Sequence, residues 1–326
     1  MLLKRLHNNE ISAYFLLPLF LVGLWLMSLM EVHIPDAYAD TVSMPLWGMV
    51  LKVVKGNKIV ASVIVMLLAL FGAMGVNRFV NRYKLLSKPT LLPGVVYIIL
   101  VSGFTEVQQI QPVWFFVPML LLAIEKLFNA HGVYNPASFS FDASFWFSVG
   151  TLFYGKGLYF YIFILIAMFI MRVFTTRSIL ASLMGLLLPY ILIWGYYMVI
   201  DKTGDLPAVI YENLVTPVAF FSHSAFSRTY LISMVIIVVL SLVIVVRQMP
   251  TFKILTRKHY RIFNWLIILS LLAAMTPFFS LEMIPVISIG SAIVISHFFD
   301  TLRRNILKEV LFAVLLIFTI LAQTYM

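Results

Sequence analysis

Residues 178–200 read SILASLMGLLLPYILIWGYYMVI, twenty-three positions without a charge, bounded by Arg177 and Asp201. A hydrocarbon core of about 30 Å takes roughly 20 apolar residues to cross as a helix, so this stretch predicts a membrane span. Six runs of the same kind lie at Ile11 to Met30, Ile59 to Val76, Tyr230 to Val246, Ile262 to Ser280, Met283 to Phe299 and Ile306 to Met326. Four shorter runs, three of them interrupted by Pro or Gly, lie at Leu91 to Phe104, Pro112 to Phe128, Ala143 to Tyr154 and Leu158 to Met171. Breaks of that kind are tolerated in a bilayer only where protein or a water-filled cavity covers the backbone.

Composition agrees with the runs. The 326 residues are 62% hydrophobic, 15% aromatic and 11% charged, where soluble chains are about 25% charged. The reading is an all-α polytopic transmembrane bundle of about eleven spans, one membrane domain over 1–326, with some spans short, broken or re-entrant. There is no cysteine, which excludes disulfides, thiolate metal sites and thiol nucleophiles.

Charge orients the bundle. With Lys4 and Arg5 inside and eleven spans counted, 17 basic residues fall inside against 6 outside, and 5 acids inside against 8 outside. This is the positive-inside pattern, with the N-terminus cytoplasmic and the C-terminus external. A turn at Gly155-Lys156-Gly157 is required: one merged helix over Ala143 to Met171 would bury Lys156 in mid-membrane. It would also move Arg172, Arg177, the 247–261 cluster and Arg303, Arg304 and Lys308 outside. Lys4-Arg5 before an apolar run, with Ala37-Tyr38-Ala39 after it, also suits a cleavable leader. The apolar stretch of 20 exceeds the roughly 7–15 of a leader core, so it is read as an uncleaved first span.

The longest polar intervals are the outer ones, 31–57 and 201–229. The first holds Glu31, His33, Asp36 and Asp40, the densest titratable cluster on that side, then Pro45, Trp47 and spaced lysines suited to an interfacial helix. A carboxylate there suits a general base for an acceptor hydroxyl, or a ligand for a divalent cation. The plain alternative is a solvated acidic loop, and Pro35 argues against a helix that would gather His33, Asp36 and Asp40 as metal ligands. Lys156 can meet a lipid phosphate as a point charge, or snorkel in a tight turn. Asp201, Lys202, Asp205, Glu212, His223 and Arg228 form a second polar interval able to close over a site. Inside, Arg78, Arg82, Lys84, Lys88 and the cluster Arg247, Lys253, Arg257, Lys258 and Arg261 serve orientation and anionic headgroups. These loops are too short for a nucleic-acid-binding domain. Glu125 with Lys126, Glu282, and Glu309 with Lys308 sit near span ends and read as anchors rather than a proton relay. Six isolated histidines support no multi-histidine oxygenase, and no zinc-protease, phosphate-loop or nucleophile-elbow motif occurs.

Two resemblances follow. Phe141-Asp142-Ala143-Ser144-Phe145-Trp146-Phe147-Ser148-Val149-Gly150-Thr151-Leu152-Phe153-Tyr154, with Ser296-His297-Phe298-Phe299 and Lys308-Glu309-Val-Leu-Phe312, resembles a family of polytopic inner-membrane proteins of Bacteroidota, from about residue 60 onward. That family has no assigned activity and implies a Gram-negative inner membrane. More loosely, the layout resembles GT-C membrane glycosyltransferases, through the cytoplasmic N-terminus, odd span count and acidic first outer loop. Gly150 to Leu158, then Arg172, then Gly185-Leu-Leu-Leu-Pro189-Tyr190 is similar to the middle spans of that class. This resemblance implies transfer from a polyprenyl-phosphate-linked sugar, with Asp36 as catalytic base and Glu31 and Asp40 behind it. Lys156 would face the carrier phosphate, with Arg228 and His33 as further substrate contacts. The chain departs from the class in having no Asp-Glu or Asp-x-Asp pair in that loop and no soluble outer domain. Competing readings are a non-catalytic membrane subunit of an envelope assembly or secretion machine, and a lipid or polysaccharide transporter.

Overall fold

The computed structural model describes residues 11–30, 43–54, 57–201, 204–216, 225–276, 278–279, 281–302 and 305–325. Among them are thirteen α-helices and no strand. The helices are α1 (Ile11–Met30), α2 (Pro45–Val54), α3 (Lys58–Arg82), α4 (Leu92–Val101), α5 (Pro112–Asn129), α6 (Ala137–Thr151) and α7 (Tyr161–Met171). They continue as α8 (Thr176–Val199), α9 (Asp205–Val215), α10 (Ala225–Gln248), α11 (Ile254–Ala274), α12 (Ile284–Thr301) and α13 (Asn305–Tyr325). Short 3₁₀ turns occupy Gly155–Phe160, Met249–Thr251 and Leu281–Met283.

Each of the eleven apolar runs falls on a helix. Six helices among the described residues are long and apolar enough to cross a membrane by length and composition. The short runs have another solution: α4 is ten residues, about 15 Å of helix, and all ten are buried by neighbouring helices. A segment that cannot reach across lipid is here sheathed in protein, which keeps its end groups out of hydrocarbon.

The centre of the bundle is α12. Every residue from 284 to 297 is buried, with α3, α4, α5, α10 and α11 packed around it. Large apolar side chains on α8, α10 and α13, such as Leu192, Ile236 and Ile317, are exposed, as expected of surfaces whose solvent is lipid.

The 155–160 turn reverses the chain. Phe116, at the start of α5, touches Phe147 and Tyr154 at the end of α6, while Met171, ending α7, lies beside His131, just past the far end of α5. α6 therefore runs antiparallel to both α5 and α7. α8 turns back and lies parallel to α6 in a constant register: Ser144 meets Ser182 (Oγ to Oγ 2.6 Å), Ser148 donates to the Leu186 carbonyl (2.6 Å), and Thr151 meets the Tyr190 hydroxyl (2.8 Å). Small residues let these backbones approach, and their hydroxyls find partners across the seam. Gly185 is the tightest point, where a Cβ would collide with the Phe141 carbonyl oxygen.

Gly185→Ala is expected to push α6 and α8 apart and to cost about 1–3 kcal/mol, an overpacking penalty. Gly195→Ala, with no atom within 4 Å of the added carbon, is expected to be neutral or slightly stabilising. Unfolding of the two variants in detergent checks this, and equal midpoints would refute the close approach.

Candidate functional site

Polar groups collect at two ends of the bundle. At one end Arg78 (3.1 Å) and Arg82 pair with Glu125, Lys126 pairs with Asp142 (2.8 Å), and Ser87 donates to Asp300 (2.6 Å). All of these residues belong to the set that the charge reading places on one side. The two neighbours Glu125 and Lys126 thus pair outward to α3 and α6 rather than with each other. The other end carries Lys156.

Its frame starts at α2. Pro45 opens this helix without needing an amide donor, and the free Leu46 N–H donates to the Leu152 carbonyl just past α6 (3.2 Å). An unpaired donor at one helix start thereby satisfies an unpaired acceptor at another helix end. Trp47 is buried edge-on against Phe115, which stacks on Phe153. The opposite face exposes Met49, Lys52 and Val53.

The 3₁₀ turn behind α2 is gripped from several sides. A Cβ on Gly155 would lie 2.9 Å from Asn213 of α9 and 3.1 Å from the Met44 sulfur, and one on Gly157 would lie 2.9 Å from Phe116. Neither glycine has a positive φ. They are small because neighbours press on them, not because the turn needs a special backbone. Tyr159 donates to the Leu214 carbonyl at the end of α9 (3.1 Å).

Held in that turn, Lys156 is 9% exposed and faces Glu282, 2% exposed, with Nζ 3.8 Å from Oε1. The Tyr154 hydroxyl donates to the same oxygen at 2.7 Å. Glu282 sits in the turn that begins α12, so this pair ties the central helix to the α6–α7 turn across 126 positions of sequence. Lys156 is therefore neither snorkelling nor open to solvent: its first partner is a carboxylate of its own chain.

The other candidates divide. Glu31, His33, Asp36 and Asp40 lie outside the described residues. Arg228 is exposed on the first turn of α10. No group of three His, Asp or Glu able to hold a metal ion occurs among the described residues. Two parts were not foreseen. Glu282 had one sequence signal: the charge count puts it on the same side as Lys156. α9 had another, with Leu206, Val209 and Asn213 at helical spacing; Leu206 and Val209 are buried.

Compared with known protein families, with curated proteins and with solved structures, the chain matches none of them.

Removing one member of a buried ion pair leaves an uncompensated charge and costs about 3–5 kcal/mol, whereas removing both costs far less. Lys156→Met and Glu282→Gln are each expected to destabilise strongly, and the double variant to recover most of the loss. A double-mutant cycle on detergent-unfolding free energies measures this; additive losses would mean the pair is not coupled.

Proposed function

We propose that the Lys156 end faces the outside of a bacterial inner membrane, where the chain transfers a sugar from a polyprenyl-phosphate carrier. One observation carries this reading. Met44, four residues after Asp40 in the chain, packs on Gly155, and α2, which follows, is bonded to Leu152, three residues before that glycine. The acidic interval thus leads directly into the buried Lys156, Glu282 and Tyr154 group. The aromatic, apolar surroundings of that group suit a lipid-borne substrate.

In this reading Asp36 takes the proton of an acceptor hydroxyl. The acceptor oxygen bonds to the anomeric carbon as the sugar–phosphate bond breaks, and the electron pair leaves with the carrier phosphate. Glu31 and Asp40 flank the base or hold a divalent cation. Lys156 stabilises the departing phosphate charge, but only by exchanging Glu282 for the phosphate, so carrier binding and opening of the ion pair are one event. Arg228 and His33 are the remaining substrate contacts. The placement follows the layout in which the sequence resembles GT-C transferases.

A second reading is favoured by the closed ion pair itself. A lysine already satisfied by Glu282 needs no phosphate, and the chain would then be a non-catalytic subunit of an envelope assembly machine. Asp36→Asn separates the two. Membranes containing this variant at wild-type level are expected to lose sugar transfer from a polyprenyl-phosphate donor by about a hundredfold or more. Undiminished transfer, or none in the wild type, would sink the transferase and leave the subunit.

Orientation has its own test, eased by the absence of cysteine. A single Cys at Tyr134, fully exposed between α5 and α6, should react with an impermeant thiol reagent only from the cytoplasmic side. One at Tyr211, 70% exposed on α9, should react only from outside. The reverse pattern would invert the topology.

A further inference from the structure

The end remote from Lys156 holds a cavity of about 630 Å³ between the last turn of α7 and the first turns of α11. Four of its lining residues are basic, Arg172, Arg257, Lys258 and Arg261, and none is acidic. Elsewhere at this end Arg78 and Arg82 pair with Glu125, and Lys126 pairs with Asp142. These four have no carboxylate partner among the described residues.

Three of the four are set in place by the fold. Arg257 donates to the Pro250 and Phe252 carbonyls (3.2 Å each), and its Nε has no hydrogen-bond partner. Lys258, buried, reaches the His131 Nδ1 at 3.3 Å. The same nitrogen lies 3.3 Å from the Met171 carbonyl, at the end of α7. Arg172 ends α7 at φ 63°. Its N–H bonds Phe169 and the Val173 N–H bonds Met168, a helix-ending motif that normally carries glycine at this position. A left-handed arginine costs energy that glycine avoids, and an outlier of this kind points to use of its side chain. Burial and the Arg172 guanidinium together hold the Lys258 ammonium below the ordinary lysine value, a sign of crowded positive charge in the polar turns that precede the apolar part of α11.

We infer that this cavity binds the phosphate headgroup of an anionic lipid. The rim decides for a lipid over a soluble phosphate: Phe169 (71% exposed), Phe174 and Ile254 (74% exposed) stand beside the cations. An acyl chain would cover them, while a free anion would leave them in water. Basic pockets between spanning helices are a recurrent headgroup site. The assignment stands independently of the chemistry proposed at the other end.

The test uses the full chain, in nanodiscs of phosphatidylcholine with or without phosphatidylglycerol, and native mass spectrometry of the lipid retained. Arg172→Gly relieves the backbone while removing the cation, so it should fold at least as well as the wild type, yet bind phosphatidylglycerol about fivefold or more weakly. Arg261→Gln, at an exposed position, should weaken binding similarly. Lys84→Gly is the control: it removes an exposed left-handed cation (φ 49°) that does not line the cavity, and should leave binding unchanged. Wild-type retention in Arg172→Gly and Arg261→Gln, or an equal loss in Lys84→Gly, would overturn the site. Arg172-dependent stabilisation by inorganic phosphate, with no lipid retained, would overturn the lipid as occupant.

Discussion

Thirty-six charged side chains belong to a chain with six described helices long and apolar enough to cross a membrane, and keeping those charges out of hydrocarbon organises the molecule. A charge in mid-bilayer is costly, so charges gather toward the ends of the long helices and each turn must fall near one of two ends. The alternation then becomes visible as contacts between remote positions. Arg78 meets Glu125, Lys126 meets Asp142, and Lys156 meets Glu282, in each case joining residues that charge counting places on the same side. The turn at 155–160 follows from the same condition, since a merged helix would strand Lys156.

Between the ends, the packing problem changes character. Lipid is as apolar as leucine, so burying leucine against another helix gains little, and close approach with satisfied hydroxyls has to contribute instead. The seam of α6 and α8 does this with Ser144, Ser148 and Thr151 against Ser182, Leu186 and Tyr190. α12 is the other expression of it. Wholly enclosed, it depends on the fit of its neighbours, and Glu282 at its entry anchors it to Tyr154 and Lys156.

How much of this is legible in the sequence follows from what each feature depends on. Helix positions were readable because hydropathy is local, and the start of α2 at Pro45 because proline fixes its own φ. The depth of each helix was less readable: α4 looks like a weak span yet is a buried ten-residue piece, because length alone does not say what surrounds it. α9 hid within an interval that composition marks as polar. Lys156 stood out as a charge between glycines, but its partner did not, since 126 residues separate them and only the approach of the 155–160 turn to the turn that begins α12 brings them together. The Asp36 cluster, the strongest chemical signal in the sequence, lies outside the described residues.

The two ends treat positive charge in opposite ways, and the contrast bears on how each can act. Lys156 is enclosed and neutralised, so any anion that uses it must first break a hydrogen-bonded carboxylate away, and selectivity would come from that exchange. Among the described residues Arg172, Arg257, Lys258 and Arg261 have no carboxylate partner, so an anion arriving there would break no ion pair and would relieve mutual repulsion. A closed pair suits a site that opens with its substrate. An open cluster suits a permanent occupant, and a lipid held at α7 and α11 would brace the same α7 whose leading turn carries Lys156. Occupancy at one end would thereby steady the frame of the other through a single short helix.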